Sequence, residues 1–592
     1  MDFSLSYRLM PTASPSRSEV LICWIGFAAL NVLLFVPAWA AGQPLSPFFP
    51  MSVEAVVLGS AVLWSADRAY ATGVRRTAAV LYGALFLYAL YDAGIYLATQ
   101  RSAIFYEDAQ YVVSTAYLLQ SLLSWSRAAL LVGTLAGLAV LLGGVMPWTF
   151  RAMARAGRHR ASRRILAVGH LVVWPLVFVV APWQAWGAEN LTYQTGNERT
   201  RVRTLSGKIV ENVQASLRLH QLLDELEQAP VDSTYFGYRS VPLRERPNIY
   251  LLMVESYGAV LNSHPALRAP YRRMMRRMTD SLAADGWHMA SGHAVAPVRG
   301  GRSWLAIAST LTGARVGHQL LFKRFEQHAA GYPHLVDFLN RRGYQTMAVQ
   351  AATRARPGLP APNTYGFDRL LYQNALNYRA PLYGWGGVPD QYSLHYAHAV
   401  ADSSRAPLFL FFEGVDSHAL WNYGLPPYLP DWRTFNAAAA HPQPRSWLDA
   451  RARLETAMLP DSVTSPRIYD APVTQRYLRH IAHDLRVVRD FLRTAVPPNS
   501  LVLLMGDHQP PVLPSTTADV PLHVLSRNPA LLRGFTSHLG FTSGLLRPPG
   551  QPLARVRQEA LYSILVHMLA DTSRTPRPAI QPNGISRALL VR

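Results

Sequence analysis

The chain has 592 residues, of which 50% are hydrophobic and 16% charged, and this length predicts two or three units rather than one compact domain. Its formal net charge of +21 comes from arginine. Basic residues form no stripe with interleaved aromatic side chains, so we expect no nucleic-acid partner but rather attraction to anionic phospholipid headgroups. The single cysteine, Cys23, lies in the first apolar segment, which excludes disulfides, thiolate metal sites and a cysteine nucleophile from the later part of the chain.

Five apolar stretches in the first third of the chain are typical of membrane-spanning helices. They cover about residues 20–41, 48–66, 78–98, 128–148 and 165–186, and they predict a five-helix transmembrane domain over residues 1–188. The second stretch carries Glu54 and the third carries Asp92. A carboxylate inside a membrane indicates a functional site, whereas one near a helix end can reach water, and we favour the second interpretation.

The arginines of the connecting loops predict the orientation. Arg68, Arg75 and Arg76 follow the second stretch, and six arginines between Arg151 and Arg164 follow the fourth. Because cytoplasmic loops carry the excess of positive charge, both loops and the N-terminus are predicted to be cytoplasmic and everything after residue 186 external. The first stretch also resembles a cleavable signal peptide, but its apolar run is longer than a usual signal core, which favours retention.

A polar connector is predicted over residues 189–246. It contains leucines on a helical repeat, and Pro230 and the stretch around Pro242 interrupt the pattern. The leucines are Leu217, Leu219, Leu222, Leu223 and Leu226. An amphipathic helix at the membrane surface and a plain packed linker helix explain this pattern equally well.

The third unit, residues 247–592, alternates apolar runs with helical patterns. The runs are residues 248–254, 346–349, 408–412 and 501–505, and one helical pattern covers 477–493. Continuous apolar runs of this length are typical of strands that are buried on both faces. The alternation predicts an α/β domain with a doubly wound, mainly parallel sheet.

Polar residues follow two of these strands closely. Glu255 follows the first, and Asp507 and His508 follow the last, after Gly506, which allows close approach of the backbone. Because ligands bind at the carboxyl ends of the strands in such sheets, these side chains are expected to converge there. Two carboxylates and an imidazole suit one divalent metal, Mn²⁺, Zn²⁺ or Mg²⁺, and the sequence therefore predicts a metal site.

Ser303 is the candidate nucleophile. It follows Gly301-Arg302 and precedes an apolar helical pattern, so it sits near a helix N-terminus, where free main-chain N–H groups favour an anion. By local pattern alone a simple N-cap is the commoner explanation. Ser309 and Thr310 lie further inside the helix and are interpreted as packing residues. A metal-bound Ser303 would attack a phosphoryl group.

These segments resemble the membrane-anchored branch of the alkaline-phosphatase/sulfatase superfamily, which includes lipoteichoic acid synthases, phosphoglycerol transferases and phosphoethanolamine transferases. The resemblance rests on four motifs: Val254-Glu255-Ser256-Tyr257-Gly258, Gly301-Arg302-Ser303, Ser417-His418 and Gly506-Asp507-His508. Trp385-Gly386 and Asp390 match a further family segment. The resemblance implies an alkaline-phosphatase-like (sulfatase) fold, a metal held by Glu255, Ser303, Asp507 and His508, and a substrate phosphate held by His418 with Arg354 or Arg356.

Three departures from the family pattern narrow the expected reaction. Serine replaces the usual threonine nucleophile, and the soluble part lacks the cysteines of lipid A phosphoethanolamine transferases. The formylglycine motif of true sulfatases, Cys/Ser-x-Pro-x-Arg, is missing, because Trp304-Leu305-Ala306-Ile307 follows Ser303. Transfer of phosphoglycerol or phosphoethanolamine is therefore favoured over sulfate ester hydrolysis.

The resulting hypothesis is an enzyme of the bacterial inner membrane, multi-pass, with a periplasmic or extracytoplasmic catalytic domain. It takes a phosphorylated headgroup from a membrane phospholipid donor onto Ser303 and passes it to an envelope glycan or lipid acceptor. Two alternatives remain open: a phosphodiesterase, phosphatase or sulfatase-like hydrolase in which water is the acceptor, and a non-catalytic envelope assembly protein. The intact set of Glu255, Ser303, His418, Asp507 and His508 argues against the non-catalytic alternative.

Overall fold

The structure is a computed structural model of the whole chain. It describes residues 17–43, 51–111, 125–158, 164, 194–195, 198–199, 204–230, 232–329, 331–353, 363–384, 386–401, 406–419, 421, 424–437, 471–511, 513, 515–548, 550–573 and 576–590. The predicted fifth apolar stretch, residues 165–186, lies outside the described residues, as do Arg354, Arg356 and Trp385.

The N-terminal part is helical. Its helices are α1 (Arg17–Leu33), α2 (Val36–Ala40), α3 (Val53–Trp64), α4 (Ala71–Thr99), α5 (Phe105–Asp108), α6 (Trp125–Val140) and α7 (Met146–Ala156), with a π-helical turn, Leu141–Val145, joining the last two. Among the described residues, two stretches are long and apolar enough to cross a membrane, Ala71–Thr99 and Val132–Ala156. The apolar parts of α1 and α3, Cys23–Leu33 and Val53–Trp64, are shorter. The prediction of five spans is thus supported for two segments only.

A long connector helix joins the two halves of the chain. Helix α8 (Leu205–Gln228) begins after Thr204, whose side chain accepts a hydrogen bond from the main-chain N–H of Gly207 and so caps the helix. Its leucines at 219, 223 and 226 are buried in the core of the C-terminal domain, together with Tyr235 and Tyr238 of the short helix α9 (Thr234–Tyr238). Leu217, by contrast, is exposed. The connector is therefore packed against the domain that follows it.

The C-terminal domain is built on a nine-stranded sheet. Two short strands, β1 (Gln194–Thr195) and β2 (Glu198–Arg199), form a separate ribbon. The strands of the large sheet are β3 (Asn248–Val254), β4 (His288–Val295), β5 (Gln345–Gln350), β6 (Arg369–Tyr372), β7 (Leu408–Glu413), β8 (Ser500–Gly506), β9 (Asp519–Ser526), β10 (Thr542–Ser543) and β11 (Arg555–Arg557). Their order is β10-β4-β9-β8-β3-β7-β5-β6, and β11 pairs with β4.

The sheet is mixed, which corrects the expectation of a mainly parallel one. Strands β8, β3, β7, β5 and β6 are parallel neighbours, whereas β9 runs antiparallel to both β8 and β4. The four predicted strands are all in the parallel half. The antiparallel half was missed because β4 is interrupted by Gly292 and two histidines, and β9 contains Pro521, so neither forms a continuous apolar run.

Helices cover both faces of the sheet. They are α10 (Val260–Ser263), α11 (Pro265–Ala284), α12 (Ser303–Thr312), α13 (Gln319–His328), α14 (Leu335–Arg341), α15 (Asp390–Val400), α16 (Ala471–Thr494), α17 (Arg533–Ser537) and α18 (Leu561–Leu569). Alternate residues of β3 belong to different core clusters: Ile249, Leu251 and Met253 to one, Tyr250 and Leu252 to the other. Both faces of the central strand are therefore buried, as the continuous apolar run predicts.

Candidate metal centre and nucleophile

The site lies where the three central parallel strands end. Strand β3 is hydrogen-bonded to β8 on one side and to β7 on the other, and Val254 pairs with Gly506. Glu255 and Asp507 are the next residues of their strands, so they leave the sheet side by side. Gly506 is required here, because a Cβ atom at this position would lie 2.0 Å from the main-chain oxygen of Tyr257.

Glu255, Asp507 and His508 form a buried cluster. One ligand atom from each lies within 4.8 Å of the others, and the three residues are between 0% and 5% exposed. Oδ1 of Asp507 accepts hydrogen bonds from the main-chain N–H groups of Ser256 and His508, at 2.8 and 2.7 Å. Oδ2 of Asp507 has no hydrogen-bond donor in the described part of the chain and lies 3.2 Å from Nε2 of His508.

The orientation of His508 presents a lone pair to the two carboxylates. Its Nδ1 lies 2.9 Å from the main-chain oxygen of Gln509, which can only accept, so Nδ1 carries the proton. In the neutral ring Nε2 is then unprotonated, and it lies 3.6 Å from Oε1 of Glu255. Burial lowers the pKa of His508 and favours this neutral form. Three electron-pair donors thus face one another, an arrangement that a cation stabilises.

The carboxylates respond in opposite directions to the same surroundings. Burial, followed by repulsion from Glu255, raises the pKa of Asp507 well above its usual value. Burial also disfavours ionisation of Glu255, but His508 and His418 outweigh it and lower the pKa of Glu255. The anionic form of Asp507 is therefore disfavoured at this position. Two oxygen donors, one imidazole nitrogen and an unsatisfied Oδ2 fit a divalent metal ion.

Ser303 opens helix α12 and points into this cluster. Its Oγ donates a hydrogen bond to Oε2 of Glu255 at 2.9 Å and lies 3.3 Å from Nε2 of His508. The preceding Gly301 and Arg302 both have positive φ angles, 60° and 62°, which turn the chain sharply into the helix. The serine therefore combines a position beside the candidate metal ligands with the free N–H groups of a helix N-terminus.

His418 reaches the site from the end of β7. Its turn is attached to β3, because the Ser417 hydroxyl donates a hydrogen bond to the main-chain oxygen of Glu255 at 2.6 Å. Nδ1 of His418 donates to the main-chain oxygen of Ala419 at 2.6 Å, which directs Nε2 away from its own backbone. His418 is half-buried and close enough to lower the pKa of Glu255. It is brought to the centre without belonging to the three-residue metal cluster.

Asp390, which the sequence analysis named only as part of a motif, stabilises the turn after β7. Its carboxylate accepts hydrogen bonds from the main-chain N–H groups of Val415 and Asp416, at 2.9–3.2 Å. Asp390 thereby fixes the turn that carries His418, and this role accounts for the motif without a direct part in the chemistry.

The nucleophile turn also contacts the N-terminal half. A Cβ atom at Gly301 would lie 2.8 Å from the main-chain oxygen of Ala98, near the end of α4. The Gln100 amide donates to the main-chain oxygens of Pro510, Pro511 and Leu513 at 2.5–2.9 Å. Glu107 of α5 is fully buried and accepts from Arg302 at 3.4 Å.

The sequence analysis did not identify Glu107 as part of the site. Tyr477 was missed too. Its hydroxyl donates to the main-chain oxygen of Ser256 at 2.8 Å, and this bond supports the positive φ of 57° at Ser256. No short motif marks either residue, since each acts through a partner distant in sequence.

Comparison with known proteins gives one family match and several distant structural similarities. Residues 247–535 match the family model described as Sulfatase. No curated protein sequence matches the chain.

Solved structures with a similar fold include the following three. The lipoteichoic acid synthase LtaP from Listeria monocytogenes is 11% identical, with 62% of this chain and 81% of that chain covered and a TM-score of 0.36. The lipooligosaccharide phosphoethanolamine transferase A from Neisseria meningitidis, an integral membrane protein, is 12% identical, with 94% and 95% covered and a TM-score of 0.43. The Streptococcus pyogenes phosphoglycerol transferase GacH is 11% identical, with 64% and 91% covered and a TM-score of 0.31. These similarities are too distant to transfer a reaction to this chain.

Proposed function

Residues 247–535 match the Sulfatase family model, and we propose that the chain is a member of the alkaline-phosphatase/sulfatase superfamily that transfers a phosphorylated headgroup through a covalent intermediate on Ser303. The donor is a membrane phospholipid and the acceptor a glycan or lipid of the cell envelope. The observation that carries the proposal is the position of Ser303 Oγ, 2.9 Å from Oε2 of Glu255 and 3.3 Å from Nε2 of His508 at the start of α12.

The residues at the centre supply the parts that phosphoryl transfer needs. Glu255, Asp507, His508 and Ser303 would hold a divalent cation, which would favour ionisation of the serine hydroxyl and polarise a phosphoryl oxygen. Oε2 of Glu255 holds the Ser303 hydroxyl in a fixed orientation. The N-terminus of α12 directs main-chain N–H groups and the positive end of its dipole towards the charge that develops on the phosphoryl group. His418 donates to a non-bridging oxygen.

The reaction proceeds in two balanced steps. In the first, Ser303 Oγ forms a bond to phosphorus, the bond from phosphorus to the lipid oxygen breaks, and the serine proton leaves with diacylglycerol. In the second, an acceptor hydroxyl attacks phosphorus, the bond to Ser303 Oγ breaks, and the acceptor proton returns to Ser303. Splitting the reaction lets the acceptor enter after the lipid has left.

The contacts of the N-terminal half support a lipid donor. The nucleophile turn touches the end of α4, which is one of the two helices long and apolar enough to cross a membrane. Side chains of the second such segment, Val132, Leu135 and Val140, are 54–64% exposed, as lipid-facing residues are. A nucleophile next to the end of a membrane span is within reach of phospholipid headgroups. We place the protein in the bacterial plasma membrane with its catalytic domain outside, on the arginine distribution of the loops.

The test uses the full chain in vesicles of defined composition. Purified protein is reconstituted with fluorescent phosphatidylglycerol or, separately, phosphatidylethanolamine, in the presence of Mn²⁺ or Zn²⁺. We expect release of diacylglycerol and a phosphoglycerol or phosphoethanolamine adduct on the Ser303 peptide, detected by mass spectrometry. Ser303→Ala abolishes both. The fold should survive, because Ser303 is not the N-cap residue of α12 and the variant removes only the hydroxyl contacts to Glu255 and His508.

Ser303→Thr is the matched control. It keeps a hydroxyl at the same position and is expected to retain the adduct and measurable turnover. If Ser303→Ala still releases diacylglycerol, the covalent mechanism is wrong. If the wild-type protein releases free glycerol phosphate at the same rate with and without added envelope glycan, the protein is a hydrolase and the acceptor proposal fails.

A further inference from the structure

A second buried cluster of ligating side chains lies beside the first. Asp416, His483 and Asp484 place one ligand atom each within 4.8 Å of one another. Asp416 and Asp484 are 3% and 2% exposed, and the side chain of His483 is 8% exposed. Asp416 begins the turn that carries His418, whereas His483 and Asp484 lie on helix α16. The cluster shares no residue with the Glu255 centre.

The ligating atoms of this cluster are unsatisfied. Neither carboxylate oxygen of Asp484 has a hydrogen-bond partner in the described part of the chain, and neither does Nε2 of His483. The Ser417 hydroxyl lies beside Asp484, but its hydrogen is donated to the main-chain oxygen of Glu255 at 2.6 Å. Oδ2 of Asp416 accepts one bond, from the main-chain N–H of Asp390, and lies 3.5 Å from Nε2 of His483.

Three buried carboxylates lie together here, and none has a lysine or arginine partner in the described part of the chain. Asp390, 3% exposed, adds a third buried carboxylate next to Asp416 and Asp484. Within the described ranges, no lysine or arginine forms an ion pair with any of the three, and His483 is the sole ion-pair partner of Asp416. Burial, and then repulsion from Asp416, raises the pKa values of Asp390 and Asp484. Buried carboxylates in this arrangement require protons or a cation.

The donor set favours a cation. Asp390 already receives main-chain hydrogen bonds from Val415 and Asp416, so its carboxylate is satisfied without a metal. Asp484 receives none in the described part of the chain, and one of its oxygens lies within 4.8 Å of a ring nitrogen of His483 and a carboxylate oxygen of Asp416. A single shared proton would satisfy at most two of these acceptors, whereas one metal ion accepts electron pairs from all three residues.

We propose that Asp416, His483 and Asp484 bind a second divalent transition-metal ion, Zn²⁺ or Mn²⁺, separate from the ion of the Glu255 centre. Two carboxylates and one imidazole suit these metals, and three protein ligands leave a position for water. A hydrogen bond also joins α16 to the backbone of Asp416. It runs from Nδ1 of His480, one turn before Asp484, to the main-chain oxygen of Asp416 at 2.8 Å.

The second ion would position the phosphate-binding turn. Asp416, Ser417 and His418 are consecutive, and Ser417 is hydrogen-bonded to the backbone of Glu255. An ion that joins Asp416 to α16 would hold His418 against the first centre. This consequence rests on the proposed role of His418 in the transfer reaction, but binding of the ion itself does not.

Metal content of the full chain tests the site. The purified protein in detergent is stripped with a chelator, reloaded with zinc chloride and desalted, and bound zinc is measured by elemental analysis. We expect two equivalents in the wild type and one in Asp484→Asn, His483→Gln and Asp507→Asn. The double variant Asp507→Asn/Asp484→Asn binds none. Asp490→Asn, which changes another aspartate of α16 outside the cluster, keeps two.

The Asp507→Asn protein keeps the proposal falsifiable even if the Asp484 and His483 variants fail to fold. Its second site is unaltered, so it should retain one equivalent of zinc while losing the Ser303 adduct. Retention of zinc with loss of the adduct in Asp507→Asn supports both proposals. If the wild type binds one equivalent and Asp507→Asn binds none, protons fill the Asp484 cluster, and the second site is overturned while the proposed function stands. An adduct in Asp507→Asn overturns the proposed function alone.

Discussion

Glu107 is predicted to hold the nucleophile turn in place from the N-terminal half of the chain. It is 0% exposed and accepts hydrogen bonds from Arg302 at 3.4 Å, His318 at 2.8 Å and the main-chain N–H of Gln319 at 3.0 Å. Glu107→Gln keeps the shape of the side chain but removes the charge. The new amide N–H₂ group would face donors, so at least one buried donor loses its partner.

The structure sets the size of the effect. Burial alone would raise the pKa of Glu107, but His318, Arg302 and Arg101 outweigh it and lower the pKa from 4.5 to about 2. Because the folded-state pKa is lowered, the stabilisation is fully present above pH 4.5 and is lost as the pH falls towards 2. A difference of that size corresponds to about 3 kcal/mol of unfolding free energy at pH 7.

The assay combines stability with adduct formation. Thermal unfolding of the full chain in detergent should show a lower midpoint for Glu107→Gln at pH 7, and the deficit should shrink as the pH approaches 3. Formation of the Ser303 adduct should slow as well, since Arg302 directly precedes the nucleophile. Glu225→Gln, an exposed change on α8, serves as the control. Equal melting and equal adduct rates for Glu107→Gln and wild type would refute the reasoning.

Two further predictions concern buried charge elsewhere. Burial lowers the pKa of His334 from 6.5 to about 4, so the stability that neutral His334 contributes is present above pH 6.5 and is lost as the pH falls to 4. His334→Asn should reduce this loss of unfolding free energy in acid by about 3 kcal/mol. Thermal unfolding at several pH values measures the effect, with the exposed change His328→Asn as the control. Lys208 lies 2.8 Å from buried Asp92, and Lys208→Met should destabilise by about 3–5 kcal/mol. The double variant Asp92→Asn/Lys208→Met should melt at a higher temperature than Lys208→Met alone, because it removes the unpaired buried charge. A lower melting temperature for the double variant would contradict this prediction.

The parallel half of the fold could be predicted because its signal is local. Continuous apolar runs gave β3, β5, β7 and β8 within a residue or so at each end, and the polar residues that follow them mark the edge of the sheet. The order of the strands could not be predicted, because it depends on which faces pack together. Residues 248–254 and 500–506 pair although the chain between them contains β4 to β7.

The residues of the candidate sites also fall into those that the sequence predicts and those that it does not. Glu255, Ser303, Asp507 and His508 follow from strand ends and one helix start, and the structure brings them together. Asp484 and His483 could not be found from sequence, because they lie in the middle of an amphipathic helix, where buried polar residues resemble ordinary solvent-facing ones. They form a cluster only together with Asp416, which lies in the turn after β7. Clusters that join a helix interior to a loop leave no spacing pattern.

The carboxylates of the apolar stretches show how the two halves of the chain are coupled. Glu54 accepts from the main-chain N–H and hydroxyl of Ser206 at 2.7 and 2.8 Å, and Asp92 pairs with Lys208, 116 residues away. Both partners lie in the first turn of α8, so the two charges anchor the connector to α3 and α4. The same end of α4 touches Gly301. A single helix therefore fixes the connector on one side and the nucleophile turn on the other, and any tilt of α4 must move both together.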